Sequence, residues 1–454
     1  MEPVSVGAAA AGPARGEARH HTIGTWTCAS LVAGNMIGSG IFLLPAALAA
    51  YGSVSFVGWL LTSGGALLLA LLFSGLCRTL PAAGGPYAYT RAGLGDFAGF
   101  LVAWGYWISL ICGNAAIAVA MVGYLGVFFG GLQGHALAPA LVALAALWLL
   151  TAVNLAGVRS AGRMQILTTL LKLLPLVAII VVGLFAFDRA NLGPFNASGA
   201  PTLNAVSATA ALTLWAFLGL EAATVPADDV RDPARTIPRA TVVGTVTVAV
   251  VYILATLAVM GLVSHEQLAV SEAPFADAAE RLWGPTGAWL VAAGATVSCF
   301  GALNGWILLT GQVPMAAARD RLFPARFARR SARGVPAVGL VVSSVFATVL
   351  ILMNYTRGLV GLFTFAILLS TLTALVPYAF SAVARLRLLT LAEGRASRAA
   401  LIIAAAAFVY SFWAIAGAGE DVVYLGFLLL LAGLPVYAWL TRGRRAEDAA
   451  DPAP

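Results

Sequence analysis

The chain has 454 residues, 61% of them hydrophobic and 10% charged, against roughly 25% charged residues in an ordinary soluble domain. Its mean hydropathy is +0.92 and its net charge +7. This composition excludes a water-soluble globular protein, and the one-sided placement of the basic residues along the chain excludes a nucleic-acid partner.

In chain order, residues 1–21 are rich in Ala, Gly and Pro and read as a cytoplasmic tail without a cleaved signal peptide. From Thr22 onward, apolar runs of about 20 residues recur, each long enough to cross a ~30 Å hydrocarbon core. About twelve spans are predicted, at 22–50, 53–77, 93–130, 136–158, 162–187, 206–227, 239–262, 286–316, 335–354, 357–384, 397–417 and 421–441. Residues 264–282 read as a polar outside loop with a short helix, 317–334 as a basic inside loop and 442–454 as a second tail. The predicted division is a core of ten spans over 22–384 followed by two further helices over 385–441. Of the 26 basic residues, all but Lys172, Arg189, Arg281 and Arg357 fall in one alternate set of loops and tails. Excess positive charge marks the cytoplasmic side, so both termini are expected there, with the chain in the cell (inner) membrane. Cys28, Cys77, Cys112 and Cys299 sit within or at the ends of apolar runs without metal spacing, and no histidine falls inside a span. No metal or cofactor is indicated.

The first and sixth spans break the helical pattern at corresponding places of two five-span halves. One reads Gly34-Asn35-Met36-Ile37-Gly38-Ser39-Gly40, the other Leu214-Trp215-Ala216-Phe217-Leu218-Gly219-Leu220-Glu221. Glycines weaken a helix by about 1 kcal/mol each relative to Ala, although they also permit close packing in membranes. Interruptions paired across two halves point to a transport site at the repeat interface, because backbone left unpaired in hydrocarbon must be satisfied by a polar ligand. Amides near Ser39 and Gly40 would receive a carboxylate, and carbonyls near Met36 and Trp215 an ammonium. Together these groups describe a receptor for an α-amino acid.

Glu221 is the acid that falls well within a span. Such a residue is a functional candidate by default, here as a proton carrier or sensor; the bland alternative is a protonated structural acid. Lys172, the single lysine, lies in span five and reads either as a snorkelling side chain or as a tethered cation that replaces a coupling ion. Tyr106, Trp215, Trp306 and Tyr378 lie mid-span, away from the interfacial aromatic belts, and Trp215 offers a face for a guanidinium or ammonium. A membrane enzyme would need facing catalytic groups, and one carboxylate without a histidine in the spans argues against it.

These stretches, with Gly84-Gly85-Pro86-Tyr87-Ala88-Tyr89, Gly305-Trp306, Gly311-Gln312 and Val376-Pro377-Tyr378, resemble the amino acid, polyamine and organocation superfamily. Within it the likeness is to the basic amino acid/polyamine antiporter family, above all its arginine/agmatine exchangers, over about Thr22 to Leu440. The resemblance implies an all-α polytopic protein with a five-plus-five inverted repeat, discontinuous helices 1 and 6, a homodimer, and exchange of a basic amino acid for its decarboxylated amine. It implies that Ser39 and Gly40 hold the carboxylate, that the Met36 and Trp215 carbonyls hold the amino group, and that Trp215 stacks on the guanidinium. Ser109, Asn114, Leu218 and Ser370 would line the pocket, Trp306 would contact substrate, and Tyr106, Glu221 and Tyr378 would form the inner gate. Ser109 and Leu110 stand where the arginine exchanger has alanine and cysteine, and Lys172 is unlike it. A proton-coupled or exchange permease for other amino acids, or for ornithine and putrescine, is therefore the alternative.

Overall fold

The computed structural model describes residues 25–80, 85–132, 137–156, 174, 176–221, 230–391 and 397–450. Lys172, the first tail and residues 222–227 of the sixth predicted span lie outside the described residues. Among the described residues there are helices and turns but no extended strand, as expected where lipid offers the backbone no partners.

The first span consists of α1 (Thr25–Met36) and α2 (Ser39–Ala49), and the second is α3 (Ser55–Thr79). There follow α4 (Pro86–Leu94), α5 (Asp96–Leu125) and α6 (Leu137–Ala156). The described part of span five is α7 (Leu176–Phe185), and span six enters as α8 (Thr202–Leu214). Then come α9 (Pro233–Leu262), α10 (His265–Ala269), α11 (Pro274–Arg319), α12 (Ala337–Asn354) and α13 (Gly358–Leu391). The chain ends in α14 (Arg398–Ala416), α15 (Glu420–Leu431) and α16 (Gly433–Ala450). Among the described residues, eight helical stretches are long and apolar enough to cross a membrane. One of them, Ala337–Leu391, contains both α12 and α13, parted by a short turn at Tyr355–Arg357.

Packing follows a reciprocal pattern. α3 lies against α9 and α5 against α11, which are the second and third spans of each half; α1 lies against α9 and, correspondingly, α8 against α3. A two-fold relation between halves requires these pairings. α5 is the central element: 94% of its most apolar window is buried, against 22% in α14 and 17% in Glu420–Arg442, so the last two spans lie at the periphery of the chain.

The structure extends the sequence reading in four places. α4 is a helix between spans two and three, begun by Pro86 at its first turn, where a missing N–H costs nothing. α11 starts at Pro274, ahead of the predicted span, and turns at Gly284, whose φ of 69° a side chain would oppose. α13 runs on to Leu391, since a helix needs no apolar residues once it leaves the bilayer. The last span is interrupted before Pro435, which has no N–H to give, and α16 continues through residues predicted as tail.

Candidate functional site

Both predicted interruptions are present. α1 stops at Met36; Gly38, with φ −122° and ψ −138°, is not helical, and α2 begins at Ser39 without a side-chain cap. The opening amides of α2, Ser39 and Gly40 first, therefore lie where a helix has donors and no intrahelical acceptors. In span six, α8 gives way to one tight turn at Trp215–Phe217; Leu218 is then extended, and Gly219 takes φ +98°. The two breaks touch: a Cβ on Gly40 would stand 3.3 Å from Ala216 Cα and 3.3 Å from Trp215 Nε1.

Between them is a cavity of about 10 Å³, lined by Met36, Gly38, Gly40, Ile117, Trp215, Leu218, Ala302 and Trp306. It has room for about one water. Trp215 and Trp306 fill most of the space, with ring centroids 5.3 Å apart at 51°. Gly113 makes this nesting possible, since a Cβ there would lie 2.4 Å from Trp306 Cζ3 and 2.9 Å from Trp215 Cη2. Trp215 Nε1 and Asn114 Oδ1 are buried without a hydrogen-bond partner; at Trp215, which lines the cavity, a polar ligand can relieve that cost.

The other predicted contacts are placed differently. Ser109 and Ser370 are buried, but their hydroxyls lie 3.1 Å from each other, and Ser370 donates to the Ser109 carbonyl at 2.7 Å, tying α5 to α13. Neither they nor Asn114 line the cavity. The Met36 carbonyl accepts both the Gly38 N–H at 2.8 Å and the Tyr252 hydroxyl at 2.5 Å, which engages its two lone pairs. The Trp215 carbonyl accepts from Leu218 at 3.1 Å and keeps a second acceptor position.

Glu221 is fully buried. The Tyr106 hydroxyl donates to its Oε1 and the Tyr378 hydroxyl to its Oε2, each at 2.6 Å, the length of charge-assisted O–H···O bonds. Helices α5 and α13 are thus latched to the end of the broken span. Tyr106 lies about 10 Å along α5 from Gly113, so the latch lies beyond one end of the cavity. Further toward that end, Arg91 pairs with Asp96 at 2.8 Å and with Asp320 at 2.9 Å, and Tyr87 donates to Asp320 at 2.7 Å. Burial, then the bond to Asp320, pushes the Tyr87 phenol up, so it remains the donor.

Three residues of the site escape a local reading: Gly113, Tyr124 and Tyr252. Tyr124 donates to the Phe42 carbonyl at 2.6 Å and accepts the Phe275 N–H at 3.2 Å, fixing α2 against α11. Tyr252 holds the end of α1, and its ring packs on Trp59 and Phe217 at 5.6 and 5.9 Å. A phenol in an apolar span must find a partner, and that was the available signal. Tyr252→Phe is expected to weaken binding of a ligand at the cavity about fivefold, by the ~1 kcal/mol of one neutral hydrogen bond; titration of the purified protein checks it, and unchanged affinity removes Tyr252 from the site.

Discontinuous helices that meet at a buried cavity, with a buried glutamate at the end of the second break, are the architecture of a multi-pass membrane transporter. The chain belongs to the amino acid permease family, whose model matches residues 23–441. It is 33% identical to the putrescine transporter of Haemophilus influenzae, over 93% of this chain and 98% of that one. It is 32% identical to the putrescine transporter of Escherichia coli strain K12, with coverage of 93% and 96%. The cadaverine/lysine antiporter of the same strain is 34% identical, with coverage of 94% and 96%.

Proposed function

We propose that the chain is an antiporter that exchanges a basic amino acid for its decarboxylated amine by alternating access, with arginine and agmatine as the pair. The observation that carries this reading is the convergence of two broken helices and a tryptophan pair on a single cavity, with one buried carboxylate at the end of the second broken span. The amides of Ser39 and Gly40 take the carboxylate, and the second acceptor position of Trp215 takes the amino group. The face of Trp215 takes the cationic end, a contact worth up to about 2 kcal/mol when water is excluded. Amino acid and amine share that cationic end and differ in the carboxylate, so one site serves both. Because the cavity admits about one water, Trp215 and Trp306 separate to admit either cargo, while Glu221 holds the end marked by Arg91 and Asp320 shut. That end carries most of the basic loops and is read as cytoplasmic, in a cell membrane protein with both termini inside that works as a homodimer.

The relatives named for putrescine and for cadaverine/lysine favour a cationic cargo and support a second pair, ornithine and putrescine, for the same site. Counterflow in proteoliposomes decides between the pairs. Vesicles loaded with agmatine, putrescine, cadaverine or a neutral amino acid are tested for uptake of labelled arginine, ornithine or lysine. Arginine uptake driven by agmatine is expected; none against any load overturns the arginine pair, and uptake driven only by neutral amino acids overturns basic exchange altogether.

A further inference from the structure

Away from the substrate cavity, the ends of α3 and α13 border a second cavity of about 290 Å³, lined also by residues of α9 and α14. Arg78 and Arg385 both line it, and its remaining walls are largely apolar, with Leu71, Leu72, Val242 and Ile403 among them. Among the described residues neither arginine pairs with a carboxylate, whereas Arg91 pairs with two. Arg385 is half-buried, donates to Thr79 Oγ1 and lies along α3 so closely that a Cβ on Gly75 would be 3.2 Å from its Nη2. Ser397 completes the lining as the residue that opens α14, and it makes no side-chain cap bond. The first amides of α14 thus add their partial positive charge to two guanidinium groups around one cavity.

Two like charges sharing a partly desolvated pocket repel, and an anion between them turns the repulsion into two attractions. The position of the pocket selects the kind of anion. α14 presents Ile402, Val409 and Phe412 outward at 67%, 65% and 68% exposure, an apolar surface that continues the apolar walls of the pocket at the edge of the chain. Basic pockets between transmembrane helices at the level of the headgroups bind anionic lipids. We propose that this cavity holds the phosphate of an acidic phospholipid, with Arg78 and Arg385 on its oxygens and Leu71 and Ile403 against the first methylenes of its chains. An aqueous phosphate could satisfy the arginines but would leave those apolar walls uncovered.

The purified full-length chain, washed with neutral detergent, is offered phosphatidylglycerol, phosphatidylcholine or inorganic phosphate. Bound lipid is read by native mass spectrometry, and thermal melting is followed in parallel. The expected result is retention of phosphatidylglycerol and a raised melting temperature, with no effect of phosphatidylcholine or inorganic phosphate. R78Q/R385Q is expected to retain about tenfold less phosphatidylglycerol or lower still, and R78K/R385K to recover most of it. Should the double variant fail to fold, R78Q alone, at an exposed position, is expected to show a smaller loss of the same kind. Equal retention by wild type and a folded variant overturns the site. A melting shift with inorganic phosphate as large as with lipid overturns the lipid as its source.

Discussion

Replacing Trp215 with leucine is expected to raise the dissociation constant for a cationic amino acid about 100-fold. Leucine keeps apolar bulk in the cavity but removes a π face, worth up to about 2 kcal/mol to a desolvated cation. It also removes the Nε1 donor, buried without a partner, which a bound ligand would use for about 1 kcal/mol. The sum, about 3 kcal/mol, corresponds to roughly two orders of magnitude in affinity. A large-to-small change in a packed core also costs stability, by about 2–5 kcal/mol, so affinity must be read on protein that elutes as a single folded species. Trp215→Phe retains a π face and separates the two effects: it is expected to keep most of the affinity that leucine loses. Unchanged affinity in folded Trp215→Leu would refute the stacking role and leave Trp215 as filling against Trp306 and Gly113.

What the sequence exposed and what it concealed divide along one physical line. Residues that are anomalous where they stand are legible: glycines in an apolar run at Gly38 and Gly40, a carboxylate at Glu221, an aromatic mid-span at Trp215. Each violates what hydrocarbon tolerates, and each lies at the interruptions or the latch seen in the structure. Residues whose meaning depends on a distant partner are not legible. Ser109 and Ser370 have the polarity of pocket residues, yet they satisfy each other across 261 positions. The Met36 carbonyl is the end of a broken helix, but Tyr252, 216 positions on, occupies it. Gly113 resembles any helix-packing glycine until two indoles are found within a Cβ radius of it. The helix α4 escaped for a related reason: its Arg91 and Tyr87 are held by Asp96 and Asp320, and only Asp96 is near in sequence.

Exchange by Glu221→Gln is expected to lose its dependence on pH and to run about tenfold slower where the wild type is fastest. In the native protein each carboxylate oxygen receives one phenol, so both tyrosines act as donors. An amide offers one oxygen and two N–H groups in their place. One phenol must then turn to accept or lose its partner, and the surviving bond is no longer charge-assisted. Bonds to charged groups contribute about 1.5–3 kcal/mol and neutral ones about 1 kcal/mol, so the latch weakens by enough to shift its closed population about tenfold. A proton on Glu221 does the same thing reversibly, because it converts one acceptor oxygen into a donor and releases one of the two phenols. Acid therefore favours opening at this end, and glutamine fixes the opened form at every pH. A purely structural acid predicts otherwise: Glu221→Gln would lower the melting temperature and the rate together and leave the shape of the pH profile as it was. Exchange measured in proteoliposomes over a range of pH on both sides of the membrane separates the two outcomes, with Tyr378→Phe as the companion variant. Removing that hydroxyl takes one donor from the carboxylate without removing the titrating group, so its profile is expected to shift along the pH axis where that of Glu221→Gln goes flat.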